Sequence, residues 1–118
     1  MAIGESNASL SLHLLAMHHY ERALALRRAN LGTDHPDTLS SMKRLIGNYG
    51  ISGRSRDAVI LAEEVLSIYE RRFGPDHPQT LNALGGLADA CRNAEIFDKA
   101  ILLAKQVLDK RMATLAAR

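Results

Sequence analysis

Two stretches of this sequence are near copies of each other. Leu31-Gly32-Thr33-Asp34-His35-Pro36-Asp37-Thr38-Leu39 returns as Phe73-Gly74-Pro75-Asp76-His77-Pro78-Gln79-Thr80-Leu81, displaced by 42 residues. The register extends well beyond the copied segment. Leu45 matches Leu87, Ala58 matches Ala100, Leu61 matches Leu103, and Ala62, Val65 and Leu66 match Ala104, Val107 and Leu108. Backwards, Ala16, Tyr20, Ala23 and Leu24 stand where Ala58, Ala62, Val65 and Leu66 stand one unit later. A fixed period in this range marks a stacked-repeat architecture: one unit is too small to bury its apolar face alone and covers it on the next. The period divides the 118 residues into an incomplete unit at about 1–31 and units at 32–73 and 74–115. A third connector would begin at Leu115, so the expectation is one repeat domain cut from a longer array.

Each unit reads as a helical hairpin. Ala58, Leu61, Ala62, Val65, Leu66 and Tyr69 fall at i, i+3, i+4, i+7, i+8 and i+11, one stripe of an α-helix. Ala100, Leu103, Ala104, Val107 and Leu108 repeat it. Alanine at the first and third places lets helix axes approach closely. The helix before each stripe is weaker. Leu39, Met42, Leu45, Ile46 and Tyr49 form one stripe, and Leu81, Leu84, Leu87, Ala88 and Cys91 another, but Gly47 and Gly50 interrupt the first and Gly85-Gly86 the second. Each interior glycine costs about 0.8–1 kcal/mol relative to alanine, so these helices should depend on tertiary packing.

The copied connector combines a helix stop with a helix start. Gly32 and Gly74 sit where a left-handed terminus is needed. Pro36 and Pro78 suit a first helical turn, and Asp34 or His35, with Asp76 or His77, are the candidate N-caps. Tight turns are expected near 51–55 and 93–96. The sequence predicts helices over about 9–30, 36–51, 55–72, 78–93 and 97–114, an all-α chain.

At this point the residues resemble a known family. Tyr20-Glu21-Arg22-Ala23-Leu24-Ala25-Leu26-Arg27 followed by the Leu-Gly-x-Asp-His-Pro-x-Thr connector is similar to the tetratricopeptide repeat in its 42-residue, kinesin-light-chain-like form. The resemblance covers nearly the whole chain. There are departures: Ser55 replaces an aromatic, Glu95 replaces a glycine, and Cys91 stands where Tyr49 keeps an aromatic. The resemblance implies a right-handed superhelix of antiparallel hairpins whose concave face is lined by the first helix of each unit. Such a groove holds an extended or short helical peptide. By repeat register its inward positions are Ser40, Lys43, Arg44, Gly47, Gly50 and Ile51, then Asn82, Gly85, Gly86, Asp89, Arg92 and Asn93. Lys43, Arg44 and Arg92 suit an acidic peptide or a free C-terminal carboxylate, Asn82 and Asn93 could hold its backbone, and Ser40 and Asp89 complete the expected peptide-binding set. The chaperone-binding subfamily uses a Lys/Asn clamp, but Gly47 stands where its asparagine would be, so that activity is not expected.

Composition narrows the remaining classes. Apolar residues are 47% and charged residues 24%, which argues against disorder. The net charge is only +2 and the basic residues are dispersed, as in Arg27-Arg28 and Arg71-Arg72, so no nucleic-acid surface is expected. No apolar run reaches the ~18–20 residues of a membrane span. Cys91 is the single cysteine, which fits a reducing, cytoplasmic setting.

Metal, cofactor and catalytic chemistry find no support. His13 and His18 are five apart and diverge around a helix, and adjacent His18 and His19 point apart. His35 and His77 recur beside proline, which suits capping. Cys91 lies on an apolar stripe as a buried, inert thiol. Gly85-Gly86 lacks the lysine of a phosphate loop. Two functions lead, a module that binds a foreign peptide or protein, or a scaffold that self-associates through exposed terminal helices; a weaker third is an enzyme whose catalytic domain lies outside this fragment. The second is motivated by Leu12, Leu15 and Tyr20 on a first helix without its hairpin mate.

Overall fold

The computed structural model describes residues 2–116, with side chains from residue 11 onward. It holds five helices: α1 (Ala2–Leu31), α2 (Pro36–Ile51), α3 (Ser55–Phe73), α4 (Pro78–Asn93) and α5 (Phe97–Ala116). No strand occurs among the described residues. Each helix packs on the next in chain order, so the domain is a stack of hairpins. It is elongated, 57 × 35 × 21 Å.

The repeated stripe is the core. Ala58 and Ala100 are buried, with Leu61, Ala62, Val65, Ile68 and Tyr69 of α3. Met42 and Leu45 of α2 and Leu87 and Cys91 of α4 close on it from either side. The copies on the two outer helices are less covered: on α1 Leu24 is buried while Ala16, Tyr20 and Ala23 are half-buried. Leu103 is buried, whereas Ala104 and Leu108 are exposed, because no helix lies against the far face of α5.

The connectors show why their residues recur. Gly32 and Gly74 have φ of 90° and 92° and end α1 and α3. His35 and His77 are the N-caps, not Asp34 or Asp76. Each ring accepts a backbone hydrogen bond at Nδ1, from Asp37 and Gln79 respectively, both at 3.1 Å. Proline follows at the first helical position, where no N–H is needed. Two residues further, Thr38 and Thr80 turn back and donate to the Gly32 and Gly74 carbonyls, each at 2.7 Å. Phe73 stacks on His77 with ring centroids 4.5 Å apart.

Within each unit the turn is a six-to-one closure. Arg54 N–H donates to the Tyr49 carbonyl at 2.8 Å, and Ile96 N–H to the Cys91 carbonyl at 2.8 Å. This motif needs a left-handed residue one place earlier. Gly53 fills it at φ 81°; Glu95 does so at φ 64°, the single non-glycine with positive φ among the described residues.

α1 departs furthest from its expected bounds, running back to Ala2 rather than starting near residue 9. Leu10 and Ser11 hold the places of Ser52 and Gly53, so no glycine stops a helix there and α1 continues through. Expectations for Leu10 as a side chain lie outside the described residues.

Polar contacts, one half-buried and one exposed, tie successive units together. Arg28 of α1 grips Glu64 of α3 with two nitrogens at 2.6 and 3.0 Å. Lys99 reaches Glu63 at 2.6 Å. Exposed pairs such as Lys99–Glu63 are worth roughly 0–1 kcal/mol each, so they tune register more than they hold the stack.

Candidate functional site

α2 and α4 are the first helices of successive units, and both lean on α3. Between them runs a furrow whose floor is the α3 stripe Ala58, Ala62, Val65 and Tyr69. At 16 residues per wall the furrow is roughly 24 Å long. That length matches about seven residues of extended chain. Three hollows mark its course. One of about 300 Å³ lies at the start of both walls beside Ser40, Arg72 and Gln79. One of about 290 Å³ lies midway, over Ala62 and Val65, beside Ile46, Asn82 and Ala83. The widest, about 690 Å³, lies at the C-terminal end beside Gly47, Gly50, Ser55, Asp89 and Asn93.

Lys43 borders all three hollows. Its ammonium sits 5.0 Å from the centre of the Tyr69 ring, an exposed cation–π contact of roughly 0.5–1 kcal/mol. It makes no ion pair with any described carboxylate. Two other charges line the furrow: Arg72 at its start, which donates to the Asp34 carbonyl at 2.7 Å, and Asp89 at its wide end, which Arg92 meets from the rim at 3.3 Å. The middle of the furrow therefore carries an unneutralised positive charge over an apolar floor.

The expected site residues separate into two groups. Ser40, Lys43, Asn82, Asp89 and Asn93 border the furrow, as do Gly47, Gly50, Ile51 and Gly86. Arg44 and Arg92 are exposed and border none of these three hollows. Arg92 bears on the furrow only through Asp89. Asn82 also receives a hydrogen bond from Arg111 of α5 at 3.3 Å. Sequence reasoning missed Gln79 and Tyr69. Gln79 could have been found, since it is the one position between proline and threonine where the two connector copies differ. Tyr69 was hidden because a buried aromatic on a stripe reads simply as core.

Groups with reactive chemistry lie elsewhere. Cys91 is fully buried, and burial pushes its thiol up from the ordinary value. His18 and His19 have ring centroids 6.5 Å apart, and no cluster of three or more metal-ligating side chains occurs among the described residues. No described helix is long and apolar enough to cross a membrane.

Tetratricopeptide repeat models match residues 1–71 and 45–113. The structure is similar to that of a kinesin light chain-like protein with nearly identical TPR-like repeats from Podosopora anserina, at 26% identity and a TM-score of 0.77. The match covers 93% of this chain and 51% of that one. A single-substitution variant of the same protein matches equally, over 95% of this chain. The chain thus spans about half the length of these solved relatives. No curated protein matches it. With two family matches that together span residues 1–113, and the same hairpin stack in the solved relatives, the chain belongs to the tetratricopeptide repeat family.

Proposed function

We propose that this domain binds a peptide segment of another protein in the furrow between α2 and α4, and that it is not an enzyme. Tetratricopeptide repeats are generally protein–protein interaction and scaffold modules. The observation that carries the finer reading is Lys43, an unpaired cation common to all three hollows. Its natural complement is a carboxylate, either an acidic side chain or a free C-terminus. Asn82 and Asn93, exposed on α4, offer amide groups to the peptide's backbone. Arg44 and Arg92 contribute long-range attraction from the rim. The reading includes a cytoplasmic setting, no cofactor, no nucleic acid and no membrane partner, within an array that continues beyond these repeats.

The test is selection from a display library of random dodecapeptides, followed by binding to Lys43→Glu and to the double variant Lys43→Glu, Arg44→Glu. Both variants should keep the helical circular dichroism of the parent, since both side chains are exposed. Selected peptides should be rich in acidic residues and should lose at least tenfold in affinity. Peptides that bind the variants undiminished place the ligand elsewhere.

A further inference from the structure

We infer that the furrow selects a dipolar peptide, one that lays its carboxylates over the start of α2 and α4 and sets a lysine or arginine, roughly four to five residues away, against Asp89. The inference rests on the peptide-binding reading above and supplies the other half of the ligand's chemistry.

The charges of the furrow are sorted by end. Arg72 borders the hollow at the start of both walls. Lys43 borders all three hollows, but its ammonium leans to 5.0 Å from the Tyr69 ring, and Tyr69 borders only the first and middle ones. Both positive charges therefore stand in the narrow half. Asp34 and Asp37, the acids of that end, border none of the three hollows. The wide hollow carries the reverse charge: Asp89, in the last turns of α4, is the one carboxylate among the residues that line it. The backbone has the same polarity. α2 and α4 both start at the narrow end and finish at the wide one. A helix N-terminus is equivalent to about half a positive charge and a C-terminus to about half a negative one. α3 runs the other way beneath them, from Ser55 at the wide end to Phe73 at the narrow end, and offsets one of the two. The other remains, with the same sign as the side chains.

The shape of the wide end suits a long basic side chain. Gly47, Gly50 and Gly86 place no side chain there and Ala58 and Ala90 only a methyl, which leaves about 690 Å³ against about 290 Å³ in the middle hollow. Ile46 and Ile51 offer apolar surface to the stem of a lysine or arginine, whose charged head needs a carboxylate or water. Arg92 does not occupy this place. It borders none of the three hollows and meets Asp89 from the rim, both side chains largely exposed, in a pair that adds little and leaves the carboxylate to be shared. The spacing follows from the wall. From Gln79 at the first hollow to Asp89 at the wide one, α4 rises by ten residues, roughly 15 Å. Extended chain covers that distance in roughly four to five residues. A peptide acidic along its whole length would bring a carboxylate against Asp89, so the wide end discriminates against it.

Displayed random dodecapeptides, selected in parallel on the parent, on Asp89→Ala and on Asp89→Lys, read this out. Asp89 is exposed, so both variants should keep the helical spectrum. Peptides from the parent should combine acidic residues with a lysine or arginine about four to five positions away. Acid-first and base-first sequences count alike, since the field fixes where the charges lie and not the chain direction. Asp89→Lys should select an acidic residue in the place of the base. The preferred parent peptide is then synthesised with its base intact and with that base replaced by alanine. The replacement should weaken binding to the parent by roughly fivefold or more and to Asp89→Ala by less than about twofold. Two results overturn the inference while leaving the peptide-binding furrow standing, if the peptides still lose affinity on Lys43→Glu: parent peptides acidic throughout, or a base whose loss costs the same on the parent and on Asp89→Ala. A library that yields no peptide dependent on Lys43 overturns both readings.

Discussion

The Thr80 hydroxyl lies 2.7 Å from the Gly74 carbonyl, joining the first turn of α4 to the residue that ends α3. It also reaches the Tyr69 carbonyl at 3.2 Å. Thr38 and Gly32 repeat the first contact one unit earlier at the same distance. The bond ties the start of each hairpin to the end of its predecessor. Thr80 is 2% exposed. Thr80→Val keeps the shape and removes the donor, leaving a part-buried carbonyl without it. The expected cost is about 1–3 kcal/mol, measured by urea unfolding. A cost near zero would mean that the connector holds its geometry through His77 and Pro78 alone.

Glu95 occupies a left-handed position that its counterpart Gly53 fills without strain. That conformation costs a non-glycine residue roughly 1–2 kcal/mol, partly offset by the extra freedom glycine has when unfolded. Glu95→Gly should therefore raise stability by about 0.5–1 kcal/mol, and Gly53→Glu should lower it by at least as much. Thermal unfolding of the two variants checks the pair, and opposite signs are required.

Tyr49 predicts how the fold responds to alkali. Burial, with a 2.8 Å hydrogen bond to Glu21, pushes its phenol from 10.0 up to about 12. The fold thus favours the protonated phenol. This stabilisation is complete below pH 10 and is lost as pH rises from 10 through about 12. Its size is at most roughly 2–3 kcal/mol. The ultraviolet difference between the parent and Tyr49→Phe should show one phenolate forming near pH 12, and Tyr49→Phe should flatten the stability loss over that interval. Ionisation at the ordinary value would show that the phenol is neither buried nor held by Glu21 in solution.

Gly47 and Gly86 wall the wide end of the furrow, and a Cβ added at either would meet nothing within 4 Å. Neither has positive φ. Alanine at these positions should therefore stabilise the helices by about 0.5–1 kcal/mol each. If the peptide lies against the bare backbone, the same variants should bind it more weakly. Higher Tm with unchanged affinity would confine the peptide to the narrower hollows.

The 42-residue register made most of the fold legible, because it applied the same constraints twice. α2 and α4 begin and end where expected, since proline marks each start and a repeated turn each end. The start of α1 was not legible. Its pattern has no stop signal at Leu10-Ser11, and the absence of glycine sends the helix onward. The N-cap choice between Asp34 and His35 was also open, because either side chain can accept from the backbone and geometry alone selects His35. The furrow was legible on its walls, which a helical register places directly. Its floor was not: Tyr69 enters it from a third helix, and a periodic pattern does not tell a core aromatic from one that a cation overlies.

The most direct test of the peptide-binding furrow is a backbone amide chemical-shift titration with a selected acidic peptide. The account predicts that the largest shifts fall on Ser40, Lys43, Gly47, Asn82, Gly86, Asp89 and Asn93, and that α1 and the outer face of α5 stay silent. Shifts concentrated on α1 or α5, with the α2–α4 furrow unchanged, would contradict it.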